Sequence, residues 1–378
     1  MSGTLEHCRN ALIVGGGIGG MAAAILLKQR GVDVELIDID PDWRVYGAGI
    51  TITGPTLRAY RRLDMVDSIA REGAIAPGSS LYSFNGHFLR DLDEPPLEQG
   101  LPATGGIMRP VLHHLMQDKV KALDVKVRLG ITVSELANTV SGVKVAFSDG
   151  THGQYDLVVG ADSVRSAVRD LAFPHMSKPE YTGQGCWRVS MKKPPALEKG
   201  EIYLGHEYTC GITRCAEDRI YLFLLTPHQR NSKHFDDAEL FSGLKERLAD
   251  FAGNAGWVRD NMTTQDWINY RPLSAKIQPR PWHDGRIVLL GDAVHATTPH
   301  LASGAGMAVE SAIVLAEELA TAGTVEEALA AYEERRYDRC RDVVECSIAI
   351  GAAQLSGGSP EQIGSMTGQA LHRLAAPF

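Results

Sequence analysis

"CRNALIVGGGIGGMAAAILLKQRGVDVELIDID", residues 8–40, is the stretch whose reading decides the fold. Ala11–Val14 is a short apolar run suited to a central parallel strand. Gly15, Gly17 and Gly20 follow as G-x-G-x-x-G, Met21–Gln29 reads as a helix, and a second strand, Val34–Ile37, ends at Asp38. Each glycine has its own task. Gly15 permits the tight turn, Gly17 lets the backbone approach a pyrophosphate, and Gly20 lets helix and strand pack closely. The helix start offers free N–H groups and a partial positive charge to phosphates. Asp38, 18 residues beyond Gly20, is placed to accept ribose hydroxyls. Strand, glycine turn, helix, strand and acid thus fall in the order of a dinucleotide site, and the order does not say which dinucleotide.

The fingerprint occurs once. Disulfide reductases, which use two such elements and a paired redox disulfide, do not fit. A strand–acid–glycine–helix element does recur far downstream in "GRIVLLGDAVHATTPHLASGAGMAVES", residues 285–311. Here Ile287–Leu290 is the strand, Asp292 the acid, and Gly304 and Gly306 the turn opening a helix. Between the two lies "YDLVVGADSVRSAVRD", residues 155–170, an apolar strand followed by Asp162, Ser163, Arg165, Ser166 and Arg169.

Together these three stretches resemble the signatures of the single-component (class A) FAD-dependent aromatic hydroxylases, the para-hydroxybenzoate and salicylate hydroxylase type. The middle signature of that family is G-A-D-G-x-x-S-x-V-R. This chain has G-A-D-S-V-R-S-A-V-R, with Ser163 in place of the glycine. The late one is G-D-A-A-H-x-x-x-P and a glycine turn, matched by Gly291, Asp292, Ala293, His295, Pro299, Gly304, Gly306 and Met307. "WRVYGAGITI" (43–52) resembles the family's GAGI segment, with Arg44, Gly47 and Gly49, and "MRPVLHHLM" (108–116) its R-x-x-L-x-x-x-L helix.

The resemblance implies non-covalent FAD stretched between the two ends of the chain. Its adenosine half would lie on Gly15, Gly17, Gly20 and Asp38. Its flavin half would lie near Asp292, on the ribityl hydroxyls, and the Gly304, Ala305, Gly306, Met307 turn. Arg44, Gly49, Arg109 and Asp162 would contact the cofactor. Free N–H groups at that helix start can stabilise the negative pyrimidine edge of reduced flavin. Plainer readings stand beside these. Asp162 and Asp292 read alone as helix caps, Arg165 and Arg169 as solvated charges one helical turn apart, and His295 as a satisfied histidine.

Residues 181–225 read as strands, rich in aromatic and β-branched residues. In the resembled family this region is a sheet roofing the flavin and forming the substrate pocket. Trp187 and Arg188 echo a W-R-G element. If the strand is continuous, His206, Tyr208 and Cys210 share a face. His206 and Tyr208 are then candidates to bind or deprotonate a phenol. Arg188 is a candidate substrate contact, and Arg214 a candidate for holding a substrate carboxylate or steering nicotinamide phosphate. Pro299 and His300 lie on the loop that borders the substrate ring in the family, which makes both candidate substrate contacts and His300 the preferred one, as well as a candidate catalytic residue. For each, ordinary sheet or loop surface is the competing reading.

The expected architecture is α/β: a parallel-sheet FAD-binding domain, a glutathione-reductase-like Rossmann variant, from 1–75, 106–175 and 275–325. A mixed or antiparallel substrate sheet would occupy 76–105 and 176–274, and a helical tail 326–378. The 378 residues suffice for this, and 22% charged with net charge −8 argues against nucleic-acid or anionic-membrane binding. The six cysteines form no C-x-x-C pair and no zinc-finger spacing, so they read as cytosolic reduced thiols with no metal. The apolar run 11–27 is at the short limit for a membrane span and carries a glycine cluster. It reads instead as a buried strand turning into a buried helix.

The implied chemistry is hydroxylation, with or without decarboxylation, of a phenol, aromatic acid or N-heteroaromatic. NADH or NADPH would reduce FAD, and O2 would be trapped as the flavin C4a-hydroperoxide. A cytoplasmic enzyme, by analogy a homodimer, follows. A dehydrogenase or oxidase on the same scaffold, or a non-catalytic FAD-binding protein, are the alternatives.

Overall fold

Strand Asn10–Val14 runs near the middle of a six-stranded sheet, in the order 283–284, 287–289, 157–160, 10–14, 33–38 and 126–129. The computed structural model describes residues 5–45, 47–228 and 235–378. Every pairing in this sheet is parallel except the first, where 283–284 runs against 287–289. Parallel strands need crossovers on the sheet faces and are buried on both sides. The apolar runs 11–14, 157–159 and 287–290 are accordingly almost fully buried.

Helix Ile18–Gln29 follows the glycine turn and buries every residue from Gly20 to Leu27. A helix apolar all round belongs inside a domain, and this one packs against Gly304–Thr321 and Arg109–Ala122. The chain goes from 10–14 outward to 33–38 and 126–129, then returns to the other side of 10–14 with 157–160. The carboxyl ends of 10–14 and 157–160 therefore flank the point where strand order reverses, the place where open α/β sheets bind ligands.

A seven-stranded mixed sheet takes its strands from 78–93 and 180–277, in the order 267–277, 180–192, 219–227, 209–214, 200–204, 78–83, 88–93. All its pairings are antiparallel except 200–204 with 78–83. Its two faces do different things. Trp187, Val189, Met191, Leu222 and Leu224 pack with Leu244 and Val258 of helices Asp237–Arg247 and Gly253–Asn261. The alternate residues, Cys186, Arg188, Ser190, Tyr221 and Phe223, turn toward the remainder of the molecule, where Tyr221 and Phe223 meet Ala48 and Met108.

The helical tail expected over 326–378 opens with helix Val325–Leu355, capped by Thr324, whose side chain accepts the Glu327 N–H. It lies along the late glycine-turn helix and along strands 180–192 and 267–277. A last helix, Pro360–Ala375, packs on it.

Ser163 occupies the left-handed region, with φ 71°, where the related motif has glycine, and its side chain is exposed. The substitution changed the side chain and left the backbone where glycine would put it. Such a residue carries a cost on the order of 1 kcal/mol or more, of which glycine's greater freedom in the unfolded chain gives back part. Ser163→Gly is expected to raise stability by roughly 0.5–1 kcal/mol, seen as a higher urea midpoint at unchanged m-value. A lower midpoint would mean that the Ser163 side chain itself stabilises the turn.

Candidate active site

The glycine fingerprint is built from close approaches. Gly15 has φ 107°, and a Cβ there would press on the Ala161–Asp162 backbone, so the first signature touches the second directly. A Cβ on Gly20 would overlap the carbonyl oxygen of Gly15, and one on Gly17 would meet nothing within 4 Å. The three positions therefore differ: a turn, an open face and a packing contact.

Gly16 between them is fully tied. Its N–H donates to Asp38 Oδ2 at 2.6 Å, and its carbonyl accepts the Trp43 indole N–H at 2.9 Å and lies 3.1 Å from His113 Nε2. Asp38 Oδ1 accepts from the Asp40 N–H at 2.7 Å, and each oxygen keeps a second lone pair for a ribose hydroxyl. Trp43 and His113 were not singled out by sequence. His113 was within reach, since it stands four residues after Arg109 and so on the same helix face.

In the middle signature, Asp162 accepts N–H groups from Ala167 at 2.6 Å and Val168 at 3.2 Å, and the Ser166 hydroxyl as well. The capping reading describes these contacts. Burial pushes the Asp162 carboxyl up, and those hydrogen bonds hold it down. Arg169 is fully buried, not a solvated charge: it donates to Val164 O at 3.0 Å and to Ala293 O at 3.1 Å. It thereby fastens the middle signature to the peptide beside Asp292. Arg165 is exposed.

Asp292 starts the short helix Asp292–His295 and makes no cap bond with its side chain. Protein crowds it enough to push its carboxyl up by burial, with His295 and Arg109 pulling the other way. Its side chain nevertheless remains exposed. Arg109, at the first position of helix Arg109–Ala122, is exposed as well and near enough to act on the Asp292 charge, and its side chain lies along Gly47. A carboxylate and a guanidinium are thus presented near one another with no hydrogen bond spent on each other.

Helix Gly304–Thr321 begins without a side-chain cap, because the Ser303 hydroxyl donates to Leu301 O instead. Its first N–H groups are left without intrahelical acceptors. A Cβ on Gly306 would overlap the Thr56 side chain, which accounts for the glycine by packing. Met307 is buried beneath Arg336.

His295 is buried and satisfied, with Nε2 3.1 Å from the Ser311 hydroxyl. Burial, with Arg336 close by, drives its pKa down to about 4. In the unfolded chain it titrates near 6.5. Below that pH the unfolded state takes up a proton that the fold refuses, so stability falls between about pH 6.5 and 4 and then levels. The loss from this one group is on the order of 3 kcal/mol. Asp162 and Asp292, raised by burial, act in the opposite sense on acidification. The histidine is isolated by comparison: His295→Asn should flatten the slope of unfolding free energy across pH 6.5–4 relative to the unmodified protein. An unchanged slope would refute the assignment.

His300 sits in the turn Pro299–Leu301 and is held at both nitrogens, Nδ1 2.8 Å from the Thr298 hydroxyl and Nε2 3.1 Å from Gln354 Oε1. An amide oxygen only accepts, so Nε2 carries the proton. Burial lowers its pKa to about 4, and the ring is neutral near pH 7.

Other sequence candidates fall elsewhere. The strand expected through 206–210 is broken: Leu204 ends one strand, Thr209 begins the next, and Gly205 N–H donates to Tyr208 O across the reversal. His206, its ring tilted against Phe84, and Tyr208 therefore lie in a hollow with Glu246, Arg247 and Phe251, on the helix-covered side of the sheet and away from Arg188. The basis for giving them a catalytic role is gone. Arg214 donates to Glu198 O at 2.5 Å and lines a surface hollow with Arg71 and Asp218. Arg44 is an exposed residue paired with Asp42 at 2.6 Å. Gly49 is required for contact with the substrate-side sheet, since a Cβ would overlap Cys215 and crowd Tyr221.

Residues 9–347 match the FAD binding domain family, and the chain belongs to that family. YetM of Bacillus subtilis, which bears the name of an FAD-dependent monooxygenase, is 32% identical over 361 residues, covering 94% of this chain and 97% of its own. The 2-heptyl-3-hydroxy-4(1H)-quinolone synthase of Pseudomonas aeruginosa is 29% identical over 347 residues, 90% of this chain and 88% of its own. The crystal structure of Klebsiella pneumoniae HpxO with FAD and uric acid superposes with a TM-score of 0.82, over 97% of this chain and 94% of that one, at 24% identity. That likeness is one of fold. The open face at Gly17, the two free lone pairs of Asp38, the unengaged Asp292 and Arg109 and the uncapped helix at Gly304 fit an extended dinucleotide.

Proposed function

We propose that the protein is a monooxygenase that uses FAD, NADH or NADPH, and O2 to hydroxylate a phenolic, aromatic-acid or N-heteroaromatic small molecule. One observation carries this reading: Asp292 and Arg109 stand exposed, close enough for their charges to interact and unengaged with each other, and the Arg109 backbone is bonded to Ala48, which packs on the inner face of the seven-stranded sheet. The heteroaromatic names of the relatives, a quinolone and uric acid, agree with it.

FAD, when bound, supplies the electron transfer and oxygen activation that no side chain here can supply. The chain's own work is to hold and to shield. Gly17 and the helix start behind it would receive the pyrophosphate, Asp38 the ribose, Asp292 the ribityl hydroxyls, and Arg109 negative charge on the cofactor. Pro299 and the helix start at Gly304 would border the flavin end. Ala48, Met108, Tyr221, Phe223 and Trp267 form an apolar wall that keeps water from the reacting face. His300, neutral and engaged at both nitrogens, positions its loop.

Purified protein should show oxidised-flavin absorption that bleaches anaerobically on adding NADH or NADPH, and with 18O2 one labelled oxygen should enter the aromatic product. Bleaching without label would mark a dehydrogenase or oxidase. No flavin bands after reconstitution would end the proposal.

A further inference from the structure

Three distant parts of the chain meet at one side-chain amide, that of Gln354 in the last turn of helix Val325–Leu355. Its Oε1 accepts the Gln184 Nε2–H at 2.9 Å and the His300 Nε2–H at 3.1 Å. Gln184 belongs to strand Glu180–Lys192 of the seven-stranded sheet, and His300 to the turn Pro299–Leu301 that leads into helix Gly304–Thr321. The junction is tight. A Cβ on Gly351, three residues before Gln354, would lie 2.6 Å from Gln184 Oε1 and 3.0 Å from His300 Cε1. Gln184 is 3% exposed, so little water can stand in for its bond to Gln354.

The turn gripped in this way is strained. Ala302 has φ 48°, a left-handed conformation that a residue with a Cβ keeps only where its surroundings hold it. Three side-chain bonds do so. The Thr298 hydroxyl donates to His300 Nδ1 at 2.8 Å, the Ser303 hydroxyl donates to Leu301 O, and His300 Nε2–H donates to Gln354. Of these, only the last ties the turn to another element. Burial lowers the His300 pKa to about 4, and the Gln354 bond works the other way. Among the described residues, no charged side chain on the packed elements adds to this, neither Glu180 and Arg188 on the strand, Asp342 and Glu345 on the long helix, nor Glu361 and Arg373 on the last helix.

We infer that Gln354 is a positioning residue for the proposed oxidation: through its bond to His300 it fixes that ring as the Nε2–H tautomer and holds the 298–303 turn, and with it the uncapped start of helix Gly304–Thr321. This rests on the monooxygenase reading above and extends it to the end of the long C-terminal helix, which that reading does not use. Neither Gln354 nor His300 exchanges a proton in the reaction, because each ring nitrogen of His300 already has its partner. The free N–H groups at the helix start favour negative charge, so their placement matters more to reduced than to oxidised FAD.

The test uses FAD-loaded protein carrying 15N in its histidine rings, the His300 signals being identified by their loss in His300→Asn. The unmodified protein should show His300 as a neutral Nε2–H ring from about pH 8 down to about pH 5.5. Gln354→Leu should give mixed tautomers. It should also weaken reduced FAD by about 10-fold and oxidised FAD by less than about 3-fold, read from the oxidised dissociation constant and the flavin midpoint potential. Gln354→Glu keeps an acceptor at the same reach. It should keep the proton on Nε2, bring reduced-FAD affinity back to within about 3-fold, and raise the His300 pKa through its charge. Packing support alone would lower both affinities together and would not be rescued by the acid. Gly351→Ala tests the junction from the other side: its methyl presses on Gln184 and His300, so it should shift the His300 signals and weaken reduced FAD selectively. An Nδ1–H ring in the unmodified protein, an unchanged tautomer in Gln354→Leu, equal losses of the two flavin states, or no effect of Gly351→Ala would each overturn the inference. Failure of the underlying reading is distinct, since it would appear as flavin that NADH and NADPH do not reduce while the His300 tautomer stays fixed.

Discussion

Glu310→Ala lowers the unfolding free energy by about 3–5 kcal/mol, the usual cost of leaving one partner of a buried pair alone. Glu310 is 1% exposed and meets two arginines: Arg336 Nη1 at 2.9 Å, and Arg339 through Nε at 2.8 Å and Nη2 at 2.9 Å. Arg336 has no exposed surface. Its other donors go to the Ser311 hydroxyl and the Met307 carbonyl, neither of which carries charge. Removing the carboxylate therefore strands a cation that cannot reach water. For a protein of this size the change corresponds to a drop in Tm on the order of 5–10 °C. Glu310→Gln, which keeps the shape and loses the charge, should fall between.

The double variant Glu310→Met with Arg336→Met should recover most of the loss, because well-packed apolar residues often replace a buried pair at little cost. Single and double variants that simply add would show that the two side chains are not coupled. The sign with pH follows from the Glu310 pKa. Burial raises it, but Arg336 and Arg339 hold it below the ordinary carboxylate value, so its contribution is complete above about pH 4.5 and is lost as pH falls through the lowered pKa.

This ion cluster marks where sequence reading runs out. Helix Gly304–Thr321 was legible from its glycine turn, and the strand before it from the run Ile287–Leu290. What Glu310 pairs with was not, because Arg336 and Arg339 lie on another helix and nothing local in "EERRYDRCRD" selects them from its other charges. The same division holds elsewhere. Gly15, Gly17 and Gly20 announced themselves because backbone geometry constrains them locally. Trp43 and His113, which fix the Gly16 carbonyl, meet it only through the fold. His206 and Tyr208 misled for a definite reason: alternation along "GHEYTC" looks like a strand, and the hairpin at Gly205–Tyr208 interrupts it. Arg188 was legible through its motif, but its hydrogen bond to Tyr221 is a property of the packed sheet.

Gly17→Ala and Gly20→Ala should part company, and by a wide margin. At Gly17 the backbone has φ −76°, which alanine adopts freely, and a Cβ meets nothing within 4 Å. The apo protein should therefore keep its Tm within about 2 °C. The added methyl would stand where the backbone is open to a pyrophosphate, so FAD binding should weaken by at least about 10-fold. At Gly20 the Cβ overlaps the Gly15 carbonyl oxygen, a backbone atom that no rotamer change can move aside. Helix Ile18–Gln29 would have to back away from the strand end, and it is buried along its whole middle against two other helices. Overpacking of that kind costs about 1–3 kcal/mol or more. Any relief gained by moving the turn displaces Gly15 from Ala161 and Asp162, and with it the reversal point that the cofactor would span. Gly20→Ala should thus lose both stability and at least about 100-fold in FAD affinity, measured by flavin fluorescence on reconstitution. Equal losses of Tm in the two variants would show that Gly17 also carries packing, and unchanged FAD affinity in Gly17→Ala would remove the pyrophosphate from that turn.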